Sequence, residues 1–218
     1  MAGKKRSIVR EYVEAALWAL VLTLVLRAFV IQAFRIPSES MLDTLLVGDF
    51  LFVNKFEYGP KIPFTHVRLP GLRAPHTGDI IVFQFPQDPS KDFIKRCIAT
   101  GGQTVEVRDK VVYVDGRPSP AADRLAVHKD PVAQPCPPDA PPFPEDPTLR
   151  QCRDNFGPFR VPQGRLFMMG DNRENSNDSR FWGTVPMDYV QGRAMFIYWS
   201  WDGARFMPRW SRLLRIIH

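Results

Sequence analysis

Two serines separated by one residue, Ser38 and Ser40, lie early in the chain within the sequence IPSESM of residues 36–41. Side chains two positions apart in an extended segment point to the same side, so both hydroxyls could act on one substrate oxygen. A serine hydroxyl becomes a nucleophile when a neighbouring base takes its proton. Ser-x-Ser is also common in loops and helix caps, so this interpretation requires a base elsewhere in the chain.

Lys95 is the candidate base, in a segment at residues 92–98 whose composition predicts a strand. If side chains alternate, Lys95 shares a face with Phe93 and Cys97, whereas Arg96 faces the other way. One of these two cations must then have apolar neighbours. Burial lowers the pKa of a lysine from about 10.4, and a fall of about two to three units supplies enough neutral amine for a general base. The alternative is a structural lysine that snorkels to solvent.

A polar loop with the sequence GDNRENSNDSR occupies residues 170–180, directly after an apolar pair. Asp, Asn, Ser and Arg hold compact loops together by local hydrogen bonds, and such loops commonly carry function. A calcium loop is the alternative, but the EF-hand spacing and its twelfth-position Glu are missing. We expect no metal and no cofactor, because there is no CxxC and the histidines lack metal-ligand spacing. The histidines are His66, His76, His128 and His218.

Short segments rich in Val, Ile, Phe and Tyr predict the strands that must position these groups. No amphipathic helical pattern alternates with them, which argues against βαβ winding. We therefore predict a mainly β fold with an antiparallel catalytic domain, and a turn at Asp115-Gly116. The predicted strands are residues 50–56, 79–85, 93–98, 105–114 and 194–201.

An apolar segment at residues 15–34 precedes the two serines. As a helix it would span about 30 Å, the hydrocarbon thickness of a bilayer, and Arg27 could snorkel to the headgroups. We therefore predict one transmembrane helix over residues 15–34, ended by Pro37. The alternatives are a buried soluble helix and a cleavable signal peptide cut after Ala33.

Positive charge is concentrated at the amino-terminal end. The formal net charge is +6, and residues 1–35 hold six Lys or Arg against two Glu, which leaves +2 for residues 36–218. A nucleic-acid-binding domain would concentrate its basic residues, so we expect no nucleic-acid partner. The positive-inside rule predicts that residues 1–14 are cytoplasmic and residues 35–218 are exported. The residues that set this orientation are Lys4, Lys5, Arg6 and Arg10.

A proline-rich insertion occupies about residues 117–160, where twelve of the 21 prolines fall within it or beside it. We interpret it as an excursion from the sheet. Cys136 and Cys152 bracket its central part, which has little apolar content, and we predict that they form a disulfide in an oxidising compartment. Cys97 would then be an unpaired, buried apolar residue.

The carboxyl-terminal residues 199–218 mix Trp, Leu and Ile with four arginines. Contact with anionic lipid would suit this composition. The alternative is a final element that packs on the sheet and leaves its arginines in solvent.

Taken in order, the apolar segment, Ser-x-Ser-Met, the Lys-Arg strand and the GDNR-x-NS-x-DSR loop make the chain resemble the type I signal peptidases. The motifs extend over residues 36–183, and GDIIVF at residues 78–83 also matches a family strand. The resemblance implies an antiparallel β domain of the signal peptidase/LexA type with one transmembrane helix. It also implies a serine endopeptidase that removes signal peptides from exported preproteins, cleaving after a small-x-small motif.

Carried over by position, the resemblance implies Ser40 as nucleophile and Lys95 as general base. Ser38 would donate its hydroxyl to the oxyanion beside the Ser40 N–H, and Ser176 would orient the Lys95 amine. Other residues would brace the loop or line shallow substrate pockets. The implied bracing ion pair is Asp178 and Arg180, and the implied pocket residues are Ile36, Met41 and Ile94.

The implied partners are exported preproteins, the lipid bilayer and, by proximity, the protein-export translocon. The implied location is the inner (cytoplasmic) membrane, crossed once, with the catalytic domain on the periplasmic side. One rival function is a Ser/Lys self-cleaving regulator of the LexA type, which would need a DNA-binding domain or an Ala-Gly linker ahead of the serine. The other is a membrane-tethered binding factor without catalysis, which would not require both Ser40 and Lys95.

Overall fold

The computed structural model describes residues 8–62, 65, 67–123 and 125–217. Lys4, Lys5, Arg6, His66 and His218 therefore lie outside the described residues. The helices are α1 (Ile8–Phe29), α2 (Pro120–Asp123) and α3 (Ser179–Trp182), with 3-10 turns at Met187–Tyr189 and Trp210–Arg212. The strands are β1 (Ile31–Arg35), β2 (Asp49–Asn54), β3 (Ile80–Phe85), β4 (Asp88–Thr100), β5 (Thr104–Arg108), β6 (Val111–Val114), β7 (Arg117–Pro118), β8 (Pro142–Phe143), β9 (Asp146–Arg150), β10 (Phe156–Arg160), β11 (Arg165–Met169), β12 (Val185–Pro186), β13 (Val190–Asp202), β14 (Met207–Pro208) and β15 (Arg215–Ile216).

The predicted mainly β, antiparallel fold is confirmed. The main sheet has the order β1-β2-β13-β3-β4-β11-β12, and β14 and β15 also pair with β13. A second sheet has the order β10-β5-β6-β7, and β8 and β9 form a separate pair. The neighbouring strands in these sheets pair antiparallel.

Helix α1 begins and ends earlier than the predicted helix of residues 15–34. The prediction that Pro37 ends the helix is wrong, because β1 starts at Ile31 and pairs along its whole length with β2. Lys55 lies just after β2 and its ammonium donates to the Arg27 carbonyl in the last turn of α1, at 3.1 Å. The pairing of β1 with β2 and this contact are more favourable for residues 31–35 than a continuation of the helix would be. No helix in the described part of the chain is both long and apolar enough to cross a membrane.

The predicted single strand at residues 105–114 is a hairpin of β5 and β6. The chain reverses at Asp109 and Lys110, whose φ angles of 46° and 74° are left-handed. Sequence alone did not indicate this turn because neither residue is glycine. The predicted turn at Asp115-Gly116 is confirmed, with φ angles of 52° and 76°, and joins β6 to β7.

The carboxyl-terminal segment packs on the sheet, as one of its two interpretations requires. Strand β15 pairs with β13, and Ile217 is buried. The expectation of solvated arginines is wrong for Arg212, which is buried and forms an ion pair with buried Asp49 at 2.6 Å. Several large apolar side chains of this segment are nevertheless exposed. These are Trp201, Phe206, Met207, Trp210, Leu214 and Ile216.

Both predictions about the cysteines are confirmed. Cys136 and Cys152 form a disulfide, with their Cα atoms 5.3 Å apart. Cys97 is unpaired and completely buried in a core cluster of the main sheet, where burial raises the pKa of its thiol.

Cys136→Ser should lower the melting temperature more than it lowers activity. The disulfide joins residues separated by 16 positions, and closing a loop of this size stabilises a domain by about 3 kcal/mol in the chain-entropy model. Calorimetry of wild type, Cys136→Ser and wild type with reductant measures the effect. The variant and the reduced wild type should melt at the same lower temperature, whereas an unchanged melting temperature would contradict the prediction.

Candidate active site

Ser40 and Lys95 are brought into contact by different parts of the main sheet. Lys95 lies in β4, and Ser40 lies in the turn between β1 and β2. The Lys95 ammonium nitrogen Nζ is hydrogen-bonded to Ser40 Oγ. Both residues are buried: 4% of the surface of Lys95 and 8% of that of Ser40 is exposed. The local chain folds this way because Met41 and Leu45 are fully buried and anchor the turn, in which the Leu45 N–H donates to the Met41 carbonyl at 2.8 Å.

Burial lowers the pKa of Lys95 to about 8. Desolvation is the largest cause, and the charge of Arg180 acts in the same direction, while the carboxylates of Asp178 and Asp171 oppose it. The amine also lies 5.7 Å from the centre of the Phe93 ring. A lysine with this pKa is neutral in a substantial fraction of molecules near neutral pH, as a general base must be.

Arg96, on the opposite side of β4, is buried as well. Its guanidinium binds both carboxylate oxygens of Asp171 at 2.7 Å, and Asp171 also accepts from the Thr44 hydroxyl at 2.6 Å. The sequence indicated that one of the two cations would be buried, but the structure buries both. Arg96 is held by a carboxylate, whereas the Lys95 amine contacts the hydroxyl of Ser40.

The two serine hydroxyls lie close together, as predicted, but in a bend and turn rather than in the extended segment on which the prediction rested. Ser38 Oγ lies 3.4 Å from Ser40 Oγ, and Ser38 is exposed. Asn172 fixes this segment from the polar loop, because its N–H donates to the Ser40 carbonyl and its side-chain amide to the Glu39 carbonyl, both at 3.1 Å. Among the described residues the Ser40 N–H has no hydrogen-bond partner, so this donor is free to bind a substrate oxygen.

Ser176 lies beside this pair but is not bonded to it. It is buried, and its Oγ makes no hydrogen bond of normal geometry among the described residues, although it lies near enough to the Asp178 carboxylate to help hold the pKa of that group down. Its neighbour is Gly170, where a Cβ would overlap with the Ser176 side chain and with the Ser40 carbonyl. The role of Ser176 in orienting Lys95 therefore stays a prediction, while the packing places Gly170 against both the Ser176 side chain and the Ser40 carbonyl.

Asp178 and Arg180 form a bidentate ion pair with N–O distances of 2.9 and 2.8 Å, and both are almost completely buried. Burial alone would raise the pKa of Asp178, but Arg180 holds it below its usual value. Asp178 also accepts from the N–H of Gly170 at 3.1 Å, so the pair joins the two ends of the polar loop. Removing one member would leave a buried charge unpaired.

The three predicted pocket residues lie together in one core cluster. Ile36 and Met41 are 2% and 0% exposed, and Ile94 is half-buried at the edge of the cluster. Their contact with a substrate stays a prediction.

Sequence reasoning missed four residues that fix the site, although all of them lie in recognised motifs. They hold the backbone in place or pair with a buried charge and do not take part in the proposed reaction. Their residue types therefore gave no indication of a role. They are Arg96, Gly170, Asp171 and Asn172. In the described part of the chain no group of three His, Cys, Asp or Glu is arranged to hold a metal.

The sequence is similar to those of known peptidases over the residues that form this site. The family profile described as "Signal peptidase, peptidase S26" matches residues 9–199, which include the serines, Lys95 and the polar loop. The chain is 34% identical to signal peptidase I of Pseudomonas fluorescens, over 96% of this chain and 80% of that one. It is 33% identical to signal peptidase I of Pseudomonas aeruginosa, over 98% and 81% of the two chains.

A relative from outside that genus matches equally well. The chain is 37% identical to the probable signal peptidase I-1 of Synechocystis, over 94% of this chain and 87% of that one. Each match covers most of both chains, so the similarity is not limited to a short motif. The chain therefore belongs to the signal peptidase family, peptidase S26, and is a peptidase that removes signal peptides.

Proposed function

We propose that this chain is a membrane-bound serine endopeptidase that cleaves exported preproteins after a small-x-small motif by a Ser/Lys mechanism. The observation that carries the mechanism is the hydrogen bond between buried Lys95 and Ser40. Burial lowers the pKa of this lysine to about 8, which supports its action as a base. A binding factor that had lost catalysis would have no need of this contact.

In the first half of the reaction, the neutral Lys95 amine takes the proton of Ser40 Oγ as that oxygen attacks the scissile carbonyl carbon. The carbonyl oxygen becomes an oxyanion and accepts hydrogen bonds from the Ser40 N–H and the Ser38 hydroxyl. The Lys95 ammonium then gives its proton to the departing amine nitrogen. The C–N bond breaks and an ester of Ser40 remains.

In the second half, water attacks the ester carbonyl and gives its proton to the neutral Lys95 amine. The oxyanion forms again at the same two donors, and its collapse breaks the bond to Ser40 Oγ, which recovers a proton from Lys95. The nearby carboxylates of Asp178 and Asp171 favour the ammonium, and so stabilise the lysine in the charged state that each half-reaction creates.

The substrate preference follows from how Ile36 and Met41 are packed. Both side chains are packed among core residues and expose almost no surface, so we expect any substrate pocket over them to be shallow. A shallow apolar pocket admits small side chains such as alanine and excludes large ones. A substrate lying extended along this edge would present its alternate positions, −1 and −3, to the same side.

Membrane binding is supported by the apolar side chains that α1 exposes along its length, with residues on every side of the helix. They are Leu17, Trp18, Leu20, Val21, Leu22, Leu24, Val25 and Leu26. Although α1 is not both long and apolar enough to span a membrane over the described residues, we propose that it anchors the chain, with Arg27 reaching the headgroups. The amino terminus would then lie in the cytoplasm and the catalytic domain on the periplasmic side, close to the translocon. The exposed Trp201 and Trp210 would lie at the lipid headgroups. Resistance of the membrane-bound chain to carbonate extraction tests this anchor, and release into the supernatant would contradict it.

Cleavage of a purified preprotein with alanine at −1 and −3 tests the proposed reaction. The full chain in detergent should release a mature product, whose new amino terminus is read by mass spectrometry. Ser40→Ala should release none, although it should fold. No cleavage by folded wild type, or cleavage by Ser40→Ala, would reject the Ser/Lys peptidase.

The pH dependence of kcat/KM should have an acidic limb with an apparent pKa near 8, since only neutral Lys95 can take the Ser40 proton. Because burial lowers the pKa of Lys95 to about 8, the rate should rise about tenfold per pH unit below 8 and level off above it. Initial rates between pH 6 and pH 10 measure this. A plateau that extends down to pH 6 would mean that the base is another group.

Ser176→Ala should lower kcat by about tenfold with little change in melting temperature. The Ser176 hydroxyl makes no well-aligned hydrogen bond within the described residues. Arg180 and the Gly170 N–H still hold the Asp178 carboxylate when that hydroxyl is removed, so the loss of stability should be small. Catalytic hydrogen bonds often form only once substrate is bound, which is when Ser176 would orient the Lys95 amine. The control is Asn177→Ala, an exposed neighbour, which should retain full activity. Equal kcat in both variants would remove Ser176 from the mechanism.

A further inference from the structure

Lys110 joins the proline-rich insertion to the polar loop at residues 170–180, hereafter the catalytic loop. It lies in the turn between β5 and β6 and is 8% exposed. Its ammonium donates to Glu174 Oε1 at 2.6 Å and to the Asp130 carbonyl at 2.7 Å, and it lies 3.6 Å from Asp154 Oδ2. One buried cation therefore contacts the catalytic loop and two separate parts of the insertion.

Glu174 is the residue of the catalytic loop that receives these contacts, two positions before Ser176. Besides Lys110, its carboxylate accepts the N–H groups of Lys129 and Asp130, each at 3.1 Å. The hydrogen bond from Lys110 holds the pKa of Glu174 below its usual value, so the carboxylate stays charged. Its oxygens are thus occupied by the insertion and by Lys110.

The backbone conformation of Lys110 is one that favours glycine, which suggests that the contacts of the lysine side chain offset a local strain. Its φ of 74° is left-handed, a conformation in which glycine is free of the strain that a Cβ brings. A lysine kept at such a position carries a local cost that its contacts must offset.

Two further cations of the catalytic loop bind the same insertion. Arg173 donates to Asp123 Oδ1 at 2.7 Å and also to the Ala122 carbonyl. Arg180 donates to the Arg153 carbonyl at 2.7 Å. The insertion therefore supplies partners for both buried arginines of the loop, and Glu174 of the loop accepts hydrogen bonds from the insertion's backbone and from Lys110.

We propose that Lys110 is a positioning residue for the peptidase reaction, acting through Glu174 to hold the catalytic loop and Ser176 against the Ser40–Lys95 pair. This rests on the proposed Ser/Lys function. Its hydrogen-bond partners do not include any of the proposed substrate-pocket residues. Loss of Lys110 should therefore reduce kcat and leave KM nearly unchanged.

The test compares Lys110→Met, Glu174→Gln and their double variant in the full chain. The substrate is the preprotein with alanine at −1 and −3 described above, hereafter the alanine-site preprotein. Each single variant should lose at least about tenfold in kcat, with KM within about twofold, as expected when catalytic groups shift by a fraction of an ångström. The double variant should be no worse than the worse single variant, because both remove the same contact. Lys110→Arg, which keeps the charge, should recover part of the loss.

Arg108→Met is the matched control. Arg108 lies in the same hairpin and forms an ion pair with Glu106 at 2.5 Å, but it is largely exposed. It should keep the wild-type kcat. If Lys110→Met fails to fold, Glu174→Gln carries the test, since glutamine keeps an oxygen for the two backbone N–H groups.

Three results would overturn the proposal: unchanged kcat in Lys110→Met despite a lower melting temperature, an equal loss in Arg108→Met, or additive losses in the double variant. These are distinct from failure of the peptidase function itself. That failure would show as an inactive wild type or an active Ser40→Ala, whereas an active wild type with a fully active Lys110→Met rejects only the role of Lys110.

Discussion

Lys95→Met should abolish preprotein cleavage, with kcat reduced by at least about 10³-fold. Lys95 is the cation in contact with Ser40 Oγ, and methionine has a similar length but no basic nitrogen. Without a base, Ser40 keeps its proton and is a weak nucleophile at neutral pH. Single-turnover cleavage of the alanine-site preprotein measures the loss.

The same variant should be more stable than wild type near neutral pH. Burial lowers the pKa of Lys95 from 10.5 to about 8, so the folded state disfavours the ammonium. Below about pH 8 the full penalty applies, and it disappears as pH rises from about 8 to about 10.5, where the unfolded lysine also loses its proton. Lys95→Met removes this penalty, which amounts to about 3 kcal/mol.

Lys91→Met is the control for both effects. Lys91 lies in the same strand, but its side chain is 66% exposed and forms an ion pair with exposed Asp88. It should keep both the activity and the stability of wild type. Urea unfolding at pH 7 and pH 10 measures the difference in free energy. Cleavage by Lys95→Met at a wild-type rate would show that Lys95 is not the base.

The reacting groups were predictable from the sequence because each depends on local spacing. The two serines were expected to share a side from their i, i+2 spacing, and their hydroxyls do lie 3.4 Å apart, although a bend and turn rather than an extended chain bring them together. Alternation along one strand separated Lys95 from Arg96. The disulfide followed from two cysteines that bracket a segment poor in apolar residues.

Other features depend on partners distant in sequence and could not be predicted in this way. Residues 31–35 appear as the end of an apolar helix until β2 is available to pair with them. The turn at Asp109 and Lys110 has no glycine, so nothing local indicates it. Its lysine is explained only by Glu174, which lies 64 positions away in the chain.

Gly170→Ala should lower kcat by about 10²-fold. A Cβ at this position would stand 2.6 Å from the Ser176 Cβ and would also overlap with Ser176 Oγ and the Ser40 carbonyl. Backbone cannot move aside as a flexible side chain can, so the added methyl group must displace Ser40, Ser176 or both. The overpacking should also reduce the free energy of unfolding by about 1–3 kcal/mol.

Gly203→Ala separates this steric effect from the general effect of replacing glycine. A Cβ at Gly203 meets no atom within 4 Å, so alanine there should leave kcat unchanged and slightly stabilise the chain by restricting its unfolded state. Wild-type kcat in Gly170→Ala would contradict the packing argument.

A double variant, Gly170→Ala with Ser176→Gly, identifies which displacement matters. Glycine at 176 removes the overlap with that side chain and leaves the overlap with the Ser40 carbonyl. If the double variant recovers to the activity of Ser176→Gly alone, Gly170 serves to make room for Ser176. If it stays as inactive as Gly170→Ala, the missing Cβ is needed by the backbone of the nucleophile, and the loop acts on Ser40 directly rather than through Ser176.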